Sequence, residues 1–166
     1  MREAPPLSVL LPVFDAEATL PASLRSIQRQ SEERFECIVV DDGSRDRSLA
    51  IARRFAQRDE RFRVLALSHR GVVAASNAGL EHCRGRVIAR MDADDLMHRD
   101  RLARQLAALE AAPELDGVGA HPRLFPRRGL GEGMRAYERW LASIDAPEQV
   151  HREMFVESPV ANPTLA

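Results

Sequence analysis

Three carboxylates fall within four residues at Asp92-Ala93-Asp94-Asp95. Like charges held so close repel one another unless something positive sits among them. A hard divalent cation, Mg²⁺ or Mn²⁺, suits such oxygen ligands; Mg²⁺ commonly takes one or two carboxylates and completes its shell with water and substrate phosphates. The chemistry these residues suggest is cation-assisted binding of a nucleotide. The competing reading is a solvated acidic turn whose charges favour the start of the helix that follows. A second acidic pair stands in Asp41-Asp42-Gly43-Ser44. A turn with a helix cap accounts for Gly43 and Ser44 but leaves the paired aspartates unexplained.

Both clusters follow apolar runs. Leu7 to Val13, Phe35 to Val40, Arg63 to Leu67 and Val87 to Met91 read as strands, the first two with the near-continuous apolar character of strands buried on both faces. Pro12 should end the ladder of the first. Leu20, Leu24 and Ile27 fall at i, i+4 and i+7, a helical stripe, with Thr19 as its cap and Pro21 in its first turn. Ser44 and Asp46 are cap candidates for a second helix whose inner face carries Leu49, Ala52, Phe55 and Ala56. Val72 to His82 predicts a third helix after Gly71. Leu102, Leu106 and Leu109 predict a fourth, closed by Pro113. Val118-Gly119-Ala120 reads as a fifth short strand.

This alternation predicts an α/β fold, a three-layer α/β/α sandwich with a mainly parallel sheet. In such sheets ligands bind outside the carboxyl ends of the strands, near the point where strand order reverses. Asp41, Asp42, Asp92 and Asp94 all belong to those ends, which favours a functional site over two unrelated turns.

Composition narrows the partners. A chain of 166 residues with 45% hydrophobic and 30% charged content suits one domain over residues 1–166. The net charge of −1 and the lack of a basic stripe give no reason to expect nucleic acid. All 24 basic residues other than histidine are arginine, so no lysine amine takes part in the chemistry. Cys37 and Cys83 lie in apolar patterns without metal-ligand spacing and read as buried thiols of a reducing compartment. Met1 to Pro6 lead into an apolar run too short for a signal peptide or a membrane span. The expected location is cytoplasmic, with contact at the inner face of a membrane left open. His121 to Gly133, carrying Arg123, Arg127 and Arg128, reads as a mobile basic loop. Such arginines gain about 1 kcal/mol each near an anionic lipid surface, although a plain solvated loop explains them too. Arg135 to Ile144, with Tyr137, Trp140 and Leu141, reads as a helix that closes over a neighbouring surface or simply packs there.

Four segments taken together resemble a known family. Leu10-Leu11-Pro12-Val13-Phe14, Ile38 through Ser44, Gly71 through Gly79, and Met91 through Asp95 are similar in order and spacing to the family 2 glycosyltransferases. The resemblance is strong from about Leu7 to Leu109 and extends weakly to Asn162-Pro163-Thr164. It implies the GT-A fold, a donor-binding part at about 7–112 and an incomplete acceptor-side part at about 113–166. It further implies transfer of a sugar, with inversion, from a nucleotide-diphospho-sugar such as a UDP-sugar to a glycan, lipid-linked or protein acceptor. By the same resemblance Pro12, Val13 and Phe14 line the donor pocket, with Phe14 beside the base. Asp42 accepts from uracil, its other available role being to hold its turn. Asp92, Ala93 and Asp94 match the DXD motif, with Asp94 as metal ligand and Asp92 facing the ribose or the metal through water. Asp95 supports the loop or caps the next helix. Arg70 stands near the diphosphate, and Asn77 supports from the helix, where its propensity is poor. His82 and His98 are expected at the surface.

Departures accompany the likeness. Asp15 stands where many relatives carry asparagine, Ser76 where many carry arginine, and Asn162 where histidine often precedes Pro-Thr. The catalytic base of the family lies beyond a point equivalent to Ala166, and Asp145, Glu153 and Glu157 match no base pattern. The expectation is a donor half whose general base is missing, either part of a longer enzyme or a catalytically weak nucleotide-binding remnant, with homo-oligomer formation open. A phosphoacceptor signalling domain would need a lysine, and a nucleotidyltransferase a glycine-rich basic loop after the first strand. Neither is present.

Overall fold

The computed structural model describes residues 4–155 and 157–166. The predicted contribution of Met1, Arg2 and Glu3 to the N-terminus lies outside them. Four parallel strands form one sheet: β1 (Leu7–Val13), β2 (Phe35–Asp41), β3 (Phe62–Ala66) and β4 (Val87–Arg90), in the order β3-β2-β1-β4. Between and after them run α1 (Leu20–Gln28), α2 (Ser48–Ala56), α3 (Val72–Leu80), α4 (Arg101–Ala111), α5 (Glu132–Ala142) and α6 (Pro147–Glu153), then a short 3₁₀ turn at Asn162–Thr164.

Alternation along the central strands divides the core. Leu7, Val9, Leu11, Cys37 and Val39 pack with Leu20, Leu24 and Ile27 of α1 and with Leu102 and Leu106 of α4. Leu10, Ile38, Val40 and Ala75 pack on the other face, beneath α3. Every residue of β1 and β2 is buried. At roughly 25 cal/mol per Å² of apolar surface removed from water, this two-sided burial is what holds the layers together. Gly79 lets α3 approach closely, since a Cβ there would collide with Leu10 and Val40.

The chain winds from β1 through β2 to β3 on one side and then crosses to β4 on the other side of β1. Strand order therefore reverses between β1 and β4, and a crevice opens at their carboxyl ends. Pro12 does not end the first ladder; β1 continues to Val13, paired with Asp41.

At the opposite end of the sheet, Glu36 is 3% exposed. It accepts from the Ser8 hydroxyl at 2.8 Å and the Arg84 guanidinium at 2.7 Å, and the backbone N–H of Arg84 adds a further bond. Burial raises the pKa of Glu36, but these donors outweigh it and hold the group below the usual carboxylate range.

Several local expectations differ from the structure. Thr19 occupies the N-cap position of α1 but makes no capping bond, its hydroxyl turning back to the Ala16 carbonyl. Asp46 accepts from the N–H of Ser48 at 2.8 Å, yet the N-cap residue of α2 is Arg47. Cys37 is buried as expected, whereas Cys83 is partly exposed. Val118-Gly119-Ala120 forms no strand. Val118 instead exchanges two backbone hydrogen bonds with Ala166, at 2.8 and 3.0 Å, a contact too short to build a ladder. Among the described residues, no helix is long and apolar enough to cross a membrane.

Candidate functional site

The crevice between β1 and β4 is a cleft of about 370 Å³. Pro12, Phe14, Asp15, Ala16 and Thr19 form the wall that follows β1; Arg90, Asp92, Ala93 and Asp94 form the wall that follows β4, with Val72 of α3 at the margin. A larger cleft of about 620 Å³ lies along the outer edge of β4 and the end of α4, but it contains none of the predicted site residues. Chemistry rather than volume points to the smaller one.

Asp92, Ala93 and Asp94 turn out of β4 together, with Asp94 exposed. Asp92 pairs with Arg90 at 3.1 Å, two residues back on the same side of the extended chain. Partial burial pushes the pKa of Asp92 up, Arg90 opposes the shift, and the neighbouring Asp94 adds to it. Asp95 is pushed up first by burial and then by Asp94 and Asp92. The turn thus holds carboxylates whose charges are incompletely compensated by the protein. A divalent cation would relieve that repulsion, so the donor set fits one. Among the described residues no group of three or more His, Cys, Asp or Glu is gathered to hold a metal. A cation here would therefore depend on ligand phosphates and water as well as on Asp94 and Asp92.

The acidic pair after β2 is organised differently. Asp42 is 3% exposed. Its carboxylate accepts from the backbone N–H groups of Arg70 at 2.9 Å and Gly71 at 2.8 Å, and pairs with the His69 ring at 2.8 Å. Burial raises its pKa, but the two backbone donors and His69 prevail and keep it below the ordinary value. Gly43, with φ of 73°, permits the turn; a Cβ there would lie 2.7 Å from the His69 backbone nitrogen. Asp41 is buried, with one oxygen accepting from the Ser44 N–H at 3.2 Å.

Of the sequence-predicted residues, the cleft collects Pro12, Phe14, Asp92, Ala93 and Asp94. Val13 does not line it: its side chain is buried in the core, because strand alternation turns it away from the Pro12 side. Asp42 reaches the β3–α3 loop rather than the cleft wall. Arg70 contributes its backbone to Asp42 and leaves its side chain exposed, and Asn77 is exposed on α3 away from the cleft lining. His82 and His98 are exposed, as expected.

Four contributors were given no site role by the sequence reading. Asp15 and Arg90 line the cleft. His69 stacks on Phe14 with ring centroids 4.1 Å apart and planes 21° apart. Arg101 is 8% exposed and sits behind the acidic turn. It donates to the Arg90 carbonyl at 2.9 Å, Pro163 at 2.6 Å and Leu165 at 3.2 Å, which ties the Asn162-Pro163-Thr164 segment to the end of β4. Desolvation lowers the pKa of Arg101 to about 10, against the opposing effect of Asp95. Only Arg90 left a local signal, its i, i+2 spacing from Asp92; the partners of the others lie far away in sequence.

Comparison with known proteins places the chain. Residues 8–155 match the model of glycosyl transferase family 2. An undecaprenyl-phosphate 4-deoxy-4-formamido-L-arabinose transferase of Pseudomonas fluorescens is 36% identical over 117 residues, covering 68% of this chain and 34% of that protein. Among solved structures, the mannosyltransferase PcManGT from Pyrobaculum calidifontis, in complex with GDP-Man and Mn²⁺, aligns with a TM-score of 0.66 and 28% identity over 73% of this chain and 36% of that one. S. aureus TarS 1-349 in complex with UDP-GlcNAc aligns with a TM-score of 0.62 and 25% identity over 73% and 37%. The chain spans about a quarter to a half of the length of the curated relatives it matches, from 25% to 48%.

Proposed function

The chain belongs to glycosyl transferase family 2, and from that premise we propose that its cleft binds the nucleotide-diphosphate part of a sugar donor with Mg²⁺ or Mn²⁺. The observation that carries this reading is the meeting of exposed Asp94 and half-buried Asp92 with Pro12, Phe14 and Asp15 at the β1/β4 switch point. Asp94 is the direct cation ligand, and Asp92 contributes directly or through water. When bound, the cation neutralises charge on the departing diphosphate. Phe14 offers a flat apolar face to the base. Asp42 acts from behind, by fixing the loop from His69 to Gly71 against the end of β2.

The transfer we propose runs to an acceptor hydroxyl with inversion at the sugar carbon, on a glycan or lipid-linked acceptor of cell-envelope synthesis. The relative named for undecaprenyl-phosphate supports that acceptor class. UDP is the preferred nucleotide, supported by the UDP-GlcNAc complex of TarS. Asp15, Asp92 and Asp94 are the carboxylates that line the cleft, and this reading gives all three to the donor. Proton abstraction from the acceptor, a step that contributes about 10²–10⁴-fold to rate, is assigned to none of them in this reading.

Calorimetric titration of UDP with Mn²⁺, then with a chelator, tests the reading. Binding should require the cation, and Mn²⁺ alone should bind far more weakly than Mn²⁺ with UDP. Equal UDP affinity with and without chelator would remove the cation from the site.

A further inference from the structure

We propose that the outer groove between α1 and α2 is a docking site for an anionic phospholipid, its phosphate held by Arg25, Arg54 and Arg58 and its chain laid on Pro21, Ile51 and Phe55. These six residues line one cleft of about 350 Å³. It shares no residue with the donor cleft, so its occupancy is independent of the nucleotide reading.

The distribution of charge points to an anion. The whole chain carries 24 arginines against 25 acidic residues, yet residues 18–31 and 47–58, which contain both helices, hold six arginines and no acid. The acids that flank these stretches are already engaged. Glu17 pairs with Arg47 at 3.0 Å, Glu32 with Arg34 at 3.1 Å and Asp59 with Arg61 at 2.7 Å, while Asp46 accepts from the Ser48 N–H at 2.8 Å. Arg25, Arg54 and Arg58 are exposed, and among the described residues their side chains have no acidic partner. Arg54 and Arg58 are four residues apart, where like charges on one helical face repel, and Arg25 joins them from α1. A bound anion removes that repulsion.

The floor of the groove selects the class of anion. Ile51 and Phe55 pack on the core with their inner sides and, like Pro21, stay partly exposed. Free phosphate would leave this apolar strip in water. A phospholipid covers it while its headgroup meets the guanidinium forks. The strip is short, since each helix has nine residues and spans about 13 Å, which suits one lipid better than the extended stripe of an acidic partner helix. Pro21 follows closely on Thr19 of the donor-cleft wall, so a lipid held here flanks the transfer site.

Calorimetric titration of the whole chain with dihexanoyl phosphatidylglycerol below its micelle concentration, with glycerophosphate and with a polyglutamate peptide tests this, together with flotation on phosphatidylcholine vesicles with and without phosphatidylglycerol. The short-chain lipid should bind about tenfold more tightly than glycerophosphate, the effect of covering about two methylenes. Vesicles containing phosphatidylglycerol should carry the protein, and those without it should not. Arg25→Gln, Arg54→Gln and Arg58→Gln should each weaken vesicle binding about fivefold, and the triple variant about 100-fold, at an unchanged melting temperature. Vesicle binding by the triple variant equal to that of the parent would overturn the proposal, as would failure of the parent to bind lipid. A loss produced instead by Arg123→Gln, Arg127→Gln and Arg128→Gln would move the contact to the loop before α5. Equal affinity for lipid and glycerophosphate would leave a phosphate site only, and tighter binding of polyglutamate would give the groove to an acidic peptide; either result also overturns the lipid assignment.

Discussion

Two acidic pairs stand at the same edge of one sheet, and their surroundings are opposite. The pair after β2 is built into the protein: Asp42 is buried, accepts from three donors, and has its pKa lowered. In the pair after β4, Asp94 is exposed, Asp92 is partly buried against Arg90, and the Asp92 pKa is pushed up by burial and by Asp94. The protein supplies its own donors to Asp42, so that carboxylate organises a loop. It supplies too little positive charge to Asp92 and Asp94, so those carboxylates suit an external cation.

The largest effect that would test this contrast is on binding. Asp94→Ala should weaken Mn²⁺-dependent UDP binding by about 100-fold or more, the scale of losing a metal contact. Its melting temperature should stay close to that of the parent, because an exposed side chain is removed. Asp42→Ala should do the reverse first, costing about 1–3 kcal/mol in a denaturant titration, since it removes the shared partner of the part-buried Arg70 and Gly71 N–H groups. If Asp42→Ala abolished UDP binding at unchanged stability, the two pairs would share one role.

Smaller effects separate the pairs by pH. For Asp42 the folded pKa is lowered, so its stabilisation is full above the ordinary aspartate value, about 3.9, and is lost as pH falls through the folded value. For Asp92 the folded pKa is raised, so the folded state binds the proton more tightly. Its contribution is then most favourable below the ordinary value and declines as pH rises through the raised one. Unfolding free energies measured across this acid range without cation should show Asp42→Asn losing the first dependence and Asp92→Asn losing the second. At neutral pH Asp92→Asn should change stability by no more than about 0.5 kcal/mol. A large loss there would mean that its bond to Arg90 outweighs its repulsion with Asp94.

Much of this was legible because it is local. The apolar runs of β1 and β2 and the i, i+4, i+7 stripes of α1 and α4 report which faces are buried, and the structure buries those faces. Helix α5 overlaps the predicted Arg135 to Ile144 region but begins earlier, at Glu132, and ends at Ala142. What failed depends on distant partners. The stack of His69 on Phe14 and the bonds from Arg101 to Pro163 and Leu165 join segments with no shared periodicity. Arg101 and its partner Gln105 lie outside the Leu102, Leu106, Leu109 stripe that predicts α4, yet both are buried, with Gln105 donating to the carbonyls of Val118 and Thr164. Three small or β-branched residues suit a strand, but among the described residues Val118 finds a single backbone partner, Ala166, and no ladder forms.

Asp15 also bears on how such a site can drift over generations. Its φ is 45°, in the left-handed region, where its carboxylate accepts from the Arg45 N–H at 2.7 Å and its own N–H meets the Ser44 hydroxyl at 3.1 Å. Glycine, asparagine and aspartate tolerate that backbone; β-branched side chains do not. Asparagine and glycine are each one nucleotide change from aspartate, and asparagine retains a carbonyl oxygen for Arg45. The rim of the cleft can therefore lose or regain a negative charge at this position without the β1 exit being rebuilt, so that its electrostatics can evolve while its shape stays fixed.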